Sequence, residues 1–319
     1  MDNSWQPGAE FSALQQRAVL IAQIRSFFAE RGVLEVETPL LSRVAATDLH
    51  LDSFIVEPHN DSEKRYLQTS PESAMKRLLA AHGQPIYQLC KAFRADEYGS
   101  RHNPEFSMLE WYRPGFSIEE LGREVADLIA SVTGITTVKW TDYRQLFMQQ
   151  LQVDPWQCSV DELASVAADK LSTRIEDTDV NTWLDLLFSH LVEPQLGEDC
   201  QQFIYGYPPD LAAQSRITRD SENRPIAERF EVFVGGIELA NGYYELIDAK
   251  ELRSRMTSDI CSRRDRDKTP VPEDERLIAA LEHGLPECAG VALGVDRLIM
   301  IALGAARVSE VISFDWPRS

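Results

Sequence analysis

Residues 228–246 read ERFEVFVGGIELANGYYEL, two apolar and aromatic runs around a Gly-Gly pair, which is the pattern of a β-hairpin. With Gly235 and Gly236 as the turn, Val234 faces Ile237, Phe233 faces Glu238 and Glu231 faces Ala240, so Glu231 and Glu238 become diagonal neighbours on one sheet face. Diagonal positions lie about 7 to 8 Å apart between backbones, within reach of side chains that bridge magnesium and a polyphosphate. Taken alone, the segment reads more simply as a solvated hairpin with two surface glutamates.

Neighbouring strand-like runs carry further candidates. In EFSMLEWYR, 105–113, period two puts Phe106, Met108, Glu110 and Tyr112 on one face and Ser107, Leu109, Trp111 and Arg113 on the other. A glutamate on an otherwise apolar face needs a partner, either a cationic ligand or an arginine of this chain. Arg94 ends the run 85–94, and Arg101 and His102 stand in the loop DEYGSRHN, 96–103. Arginine's planar fork suits phosphate oxygens, although lone loop arginines are usually surface charges. In GVALGVDRL, 290–298, Gly290, Ala292 and Gly294 leave one strand face bare, open to a flat ligand or to close helix packing, and Arg297 follows at a helix start. The sequence has neither a P-loop nor a G-x-G-x-x-G fingerprint.

The remaining elements frame these. Helical spacing from Ser12 to Glu30, with Ser12 as N-cap and Gly32 beyond the end, predicts a long amphipathic helix, followed by a short strand over 33–37 stopped by Pro39. Pro71 opens a helix running to Ala81. Further helices are expected over 118–133, 181–192, 249–264 and 273–283, and a strand over VSEVISF, 308–314. Residues 134–180 show no clear order. Hairpins joined by long helical excursions favour an α+β fold, a mainly antiparallel sheet flanked by helices, over residues 12–319 after an N-terminal tail, 1–11.

The chain has 319 residues, and 32 Lys+Arg against 51 Asp+Glu give a net charge of −19. That balance argues against phosphate-backbone binding as its main business. A hydrophobic share of 44% and a charged share of 26% are those of an ordinary globular chain. The start, MDNSWQPGAEF, has no signal-peptide pattern, and Asp296 and Arg297 interrupt the most apolar late stretch, so neither secretion nor membrane spanning is expected. The five cysteines, odd in number and far apart, read as reduced thiols of a cytoplasmic protein.

In this order the pieces resemble the three signature motifs of class II aminoacyl-tRNA synthetases. The first helix with RGVLEVETPLL, 31–41, is similar to motif 1, the dimer-forming element; FRADE, 93–97, through RHNPEFSMLEWY, 101–112, to motif 2; and GVALGVDRL to motif 3. The resemblance spans nearly the whole chain, and RHNPEF, MLEWY and ELANGYYEL resemble the lysyl subgroup. It implies a class II synthetase catalytic domain in which Arg94 and Arg297 are catalytic. Arg94 meets the α-phosphate of ATP, Arg101 and Arg297 the outer phosphates, and Phe106 stacks on adenine, with Asp96, His102 and Asn103 nearby. Glu231 and Glu238 hold Mg2+. Glu72, Glu110, Tyr112, Asn241, Tyr243 and Glu245 line an amino-acid pocket shaped by Ser70 and Ala292, and its three carboxylates suit a substrate with two ammonium groups. Asn241, Tyr243 and Glu245 share strand parity but Glu238 does not, so a kink or bulge at Asn241-Gly242 is required if both sets face one site.

Motif 1 begins almost at once, so no anticodon-reading OB-fold is expected ahead of it. The shortened lysyl-like pattern resembles the elongation factor P lysine ligase family, paralogues that attach (R)-β-lysine to a lysine of elongation factor P. Two details favour that family: Ser70-Pro71-Glu72 where synthetases tend to have Ala-Pro-Glu, and Ala292 in place of the middle glycine of motif 3. Asp96, Tyr243 and the Arg101-His102 pair depart from the usual pattern. The resemblance implies an AMP-forming ligase using ATP and Mg2+, acting on β-lysine and elongation factor P. It also implies a homodimer, with no stable tRNA binding and no membrane attachment. The competing readings are a lysyl-tRNA synthetase-like ligase acting on tRNA or a free amine, and an inactive regulatory paralogue. The last predicts loss of Arg94, Glu231, Glu238 or Arg297, and all four are present.

Overall fold

The computed structural model describes residues 5–57, 59, 63–173 and 179–319; residues 1–4 of the expected tail lie outside the described residues. Helix α1 (Phe11–Glu30) turns at Gly32 into β1 (Leu34–Glu35). Strands β2 (Leu41–Ser42), β3 (Ile55–Val56) and β4 (Arg65–Leu67) form a small separate sheet, and helix α2 (Glu72–His82) leads to β5 (Ile86–Phe93) and β6 (Glu105–Pro114). Then come α3 (Ile118–Thr133), β7 (Val138–Asp142), α4 (Tyr143–Leu151), α5 (Val160–Leu171), α6 (Val180–Leu187) and β8 (Gln201–Tyr207). Strands β9 (Ile217–Arg219), β10 (Pro225–Val234) and β11 (Ile237–Tyr244), helices α7 (Ala249–Asp265) and α8 (Glu275–Gly284), strand β12 (Cys288–Gly294) and helix α9 (Val295–Leu303) follow.

The large sheet runs β1-β5-β6-β12-β11-β10-β8-β7 with β9 beside β10, and only its outer pairs β1/β5 and β7/β8 are parallel. It is the mainly antiparallel sheet flanked by helices that the sequence predicts. The alternation in β6 sets its two faces. Leu109 and Trp111 enter the main core with Phe28 of α1, Val125 of α3 and Ile299 of α9, while Glu110 and Tyr112 turn to the opposite side. Helix α3 starts where Ser117 and Glu120 cap each other's backbone N–H groups, satisfying donors that a helix start leaves open.

The Gly-Gly turn has φ of 57° at Gly235 and 67° at Gly236, the left-handed pair that a two-residue hairpin needs. Val234 faces Ile237 and Phe233 faces Glu238 as expected, but Val232 then faces Ala240 and Glu231 faces Asn241. Leu239 is the extra residue. The bulge therefore lies at Leu239 rather than at Asn241-Gly242, and Glu231 is opposite Asn241, not Ala240. Packing gives the reason: Leu239 and Ala240 both enter the main core, whereas Gly242 stays in regular pairing with the Phe230 ring laid against it.

Other expectations shift. Helix α1 begins before Ser12, which is not its cap; the N-cap is Glu10, and the preceding chain is tied by Gly8 N–H to the Ser313 carbonyl at 2.8 Å. The strand after α1 is only two residues long. Residues 308–314 form no strand among the described residues: a short turn over Val308–Glu310 satisfies the backbone while Val308, Val311 and Ile312 fill the core. The helix expected over 181–192 ends at Leu187 and continues as a π-turn. The stretch without clear order holds β7, α4 and α5, and α4 and α5 build a second core with α6 around Tyr143, Phe147 and Trp183.

A methyl group on Gly242 would overlap the Phe230 ring, and overpacking of this kind costs about 1–3 kcal/mol. Gly242→Ala is therefore expected to lower the urea-unfolding free energy by that amount; an unchanged midpoint would show that the ring is free to move.

Candidate active site

One face of β6, β12, β11 and β10 forms the floor of a cavity of about 1550 Å3, walled by α2, α7 and the loop 43–53. The bulge at Leu239 aligns Glu238 with Asn241, Tyr243 and Glu245, and all four line this cavity with Glu231 and Arg229.

Arginines mark one end. Arg94, paired with Glu97 at 3.1 Å, has its guanidinium 5.1 Å from the centre of the Phe106 ring. Arg101 donates to the Gly236 carbonyl at 2.6 Å, which ties the loop between β5 and β6 to the hairpin turn. Arg297 donates to the Glu238 carbonyl at 2.9 Å and touches His102. Burial and the neighbouring Arg297 push His102 down, so the ring is neutral at physiological pH.

Glu231 and Glu238 lie on the hairpin between the two ends. Burial pushes Glu231 up to about 7; Arg229 pulls it down, and Glu238 pushes it up as a like charge. Tyr207 donates to Glu231 at 2.7 Å, Asn241 does so at 3.2 Å, and Arg229 pairs with it closely. Two mutually repelling carboxylates, hard oxygen donors on one wall, suit a magnesium ion whose other ligands come from phosphate and water. No group of three or more acidic, His or Cys residues gathers for a metal among the described residues, so a metal held here needs such outside ligands.

Carboxylates dominate the other end. Glu110, 2% exposed, accepts from Ser70 Oγ at 2.7 Å and Tyr112 Oη at 2.6 Å. Burial, then the charge of Glu72, push it up to about 8 against those two hydroxyls and Lys76. Ala292 lies between Asn241 and Glu110 in the sheet, and Gly290 between Tyr243 and Tyr112. Burial raises Glu245 above the ordinary carboxylate range, while Lys76 pulls it back.

Two expected ATP residues stand differently. Asp96 is exposed and does not line the cavity; Glu97, one residue on, does, because it turns back to Arg94. Asn103 reaches the cavity wall, but its amide is spent on the Glu105 carbonyl and on the Trp316 N–H. The sequence reading missed Arg229, which shares strand parity with Glu231. It also missed Lys76, four residues after Glu72 on α2, where period 3.6 puts the two on one face. Tyr207 and Gln214 carry no local signal.

A family profile described as tRNA synthetases class II (D, K and N) matches residues 9–318. The chain belongs to this class II family. Within it, the chain is 47% identical to the elongation factor P--(R)-beta-lysine ligase of Klebsiella pneumoniae (strain 342), over 99% of this chain and 98% of that one. It is 48% identical to the protein of that name from Proteus mirabilis (strain HI4320), over 97% of each. With the Pectobacterium carotovorum protein of the same name it shares 47% over 99% and 98%. In this class II frame the three motifs correspond to α1 with β1, to β5 and β6, and to β12 with α9.

Glu110 holds its proton more tightly folded than unfolded, so the stability it contributes is present at acid pH and lost as pH rises toward 8. Glu110→Gln is expected to melt near the parent temperature at about pH 5 and above it at about pH 8.5. Calorimetric melting at the two pH values checks this; parallel behaviour of both proteins would contradict the raised value.

Proposed function

We propose that the protein is an ATP-dependent ligase that activates (R)-β-lysine as its adenylate and transfers it to the ε-amine of a lysine on elongation factor P. What carries the reading is one cavity with Glu72, Glu110 and Glu245 at one end and Arg94, Arg101 and Arg297 at the other, together with relatives of that name matched over nearly their full length. Carboxylates attract the two ammonium groups of the amino acid, and guanidinium groups attract a triphosphate.

In the first step the amino-acid carboxylate attacks the α-phosphorus of ATP, the bond to the bridging oxygen breaks, and pyrophosphate leaves. Arg94 stabilises charge on the α-phosphoryl oxygens, and Arg101 and Arg297 hold the departing pyrophosphate. Phe106 supplies a flat face for adenine beside Arg94. Glu231 and Glu238 hold Mg2+, which neutralises phosphate charge. In the second step the acceptor amine attacks the adenylate carbonyl, AMP departs, and the amine proton passes to solvent as the amide forms. Positioning and electrostatics supply the catalysis.

Ser70 and Ala292, the first bonded to Glu110 and the second flanked by Glu110 and Asn241, shape the pocket for the amino group. A homodimer is part of the proposal: Phe11 and Val19 on α1, Leu34 on β1, and Leu40 and Leu41 beyond it are exposed apolar residues in the segment similar to motif 1. The charge of −19 disfavours stable tRNA binding. No helix among the described residues is long and apolar enough to cross a membrane, and a cytoplasmic location goes with an acceptor that is an elongation factor.

Pyrophosphate exchange with α-lysine and both β-lysine enantiomers tests the reading, with the R enantiomer expected to give the fastest exchange. Glu238→Gln should reduce that exchange by about a hundredfold or more. Label from the amino acid is expected on elongation factor P; label on tRNA would sink the acceptor assignment.

A further inference from the structure

Behind the carboxylate end of the cavity lies a lysine that does not line it. Lys76 of α2 has a side chain 1% exposed, with Nζ 2.6 Å from Glu72 Oε1, 2.7 Å from Glu245 Oε2 and 3.1 Å from Gln214 Oε1. An ammonium has three N–H donors, and three acceptors surround this one. Lys76 engages one oxygen of each carboxylate. The other oxygen of Glu72 accepts from Gln214 at 3.1 Å, and that of Glu245 lies over Gly290, where a methyl group would overlap both it and the Tyr112 ring. Wall and backing are built together.

We propose that Lys76 is a positioning residue for amino-acid binding: from behind the wall its ammonium fixes Glu72 and Glu245 in orientation and offsets their charge, so that both stand ready to receive the ammonium groups of a diamino acid. This rests on the functional reading above. Facing the same space are Glu110 and Tyr112 from β6, Cys288 from β12 and Glu245 just after β11, with Asp274 beside α2 bonded to Ser73. Burial opposes the charge of Lys76, but Glu245 and then Glu72 outweigh it and keep the ammonium protonated. Without it, Glu72, Glu110 and Glu245 have no other ion-pair partner among the described residues, and like charges so close resist ionising together near neutral pH. A carboxyl that keeps its proton cannot pair with a substrate ammonium.

A contrary effect makes the inference testable. Acting only through space, Lys76 repels a cationic ligand, and its removal would tighten binding. Positioning and ionisation predict the opposite. Calorimetric titration with 1,5-diaminopentane, a diammonium probe without a carboxylate, separates the two on wild type, Lys76→Met and Lys76→Arg. At about pH 7, Lys76→Met is expected to bind at least about tenfold more weakly, because one partner of a buried ion pair has been removed. Its affinity should recover toward the wild-type value as pH rises to about 9, since the carboxyls then ionise unaided. Lys76→Arg, which keeps the charge, should lie between. Amino-acid-dependent exchange should follow, with KM for the amino acid raised and KM for ATP unchanged.

If Lys76→Met does not fold, wild type alone is decisive. Because the ammonium already offsets the wall's charge before a ligand arrives, titration at about pH 7.5 in buffers of different ionisation enthalpy should release no more than about one proton in all, chiefly from Glu110. Release of two or more overturns the proposal, as does a Lys76→Met protein that binds the diamine as tightly as wild type or more tightly at every pH. Wild-type exchange with an unmoved variant profile overturns this inference alone. A wild type that neither exchanges nor binds the diamine overturns the functional reading with it.

Discussion

Strand parity constrains everything on the cavity floor. Along a regular β11, Glu238 and Glu245 would project to opposite faces, one toward the cavity and the other into a core that has no place for a carboxylate. The extra residue at Leu239 resets the count, so the carboxylate beside Arg297 and the one beside Lys76 belong to one wall. Because bulges also bend the strand and sharpen its twist, the same residue that corrects parity curves the floor between the two ends. The cavity owes both its continuity and its two chemistries to that insertion.

Charge on this floor is balanced only in part. Arg229 serves Glu231, Lys76 serves Glu72 and Glu245, and Glu110 has two hydroxyls but no cation in contact. Each arrangement satisfies hydrogen bonds and leaves an excess of negative charge in a desolvated space, which is why Glu110, Glu231 and Glu245 are all raised by burial first. At Glu110, which has no cation in contact, this excess costs stability once the pH passes about 8. A cationic group arriving from solution would relieve that excess, so an affinity for cations and the raised carboxyls would have a single origin.

Much of this was legible in the sequence because it depends on period and turn chemistry. The alternation through Glu110 and Tyr112, the Gly-Gly turn and the bare stripe at Gly290, Ala292 and Gly294 are local patterns, and the structure keeps them. The position of the bulge was not legible, since it is decided by whether Leu239 or Gly242 can be accommodated against Phe230 and the core, contacts distant in sequence. Lys76 and Arg229 escaped for a different reason. A cation in a sequence reads as surface by default, and only tertiary packing shows that these two are buried as internal counterions. The run 308–314 misled because β-branched residues that fill a core from a turn look the same as those of a strand.

The start of α9 carries a constraint of its own. Asp296 and Arg297 are adjacent there and both reach the cavity wall, but they have different partners: Arg297 turns to Glu238 and His102, while Asp296 pairs with Arg17 of α1 at 2.5 Å and accepts from the Ser107 backbone N–H at 2.7 Å. Arg17 also donates to Ser107 Oγ at 2.9 Å and to the Val311 carbonyl at 3.2 Å. One buried cluster thus fixes α1, β6 and α9 to each other. The direction in which Arg297 leaves the first turn of α9 follows from how Asp296 is held, and Asp296 is held by a helix whose outer face is exposed. The outermost helix is in this way part of what aims an arginine into the cavity, and the adjacency of Asp296 and Arg297 has a physical reason beyond close packing of a helix on a strand.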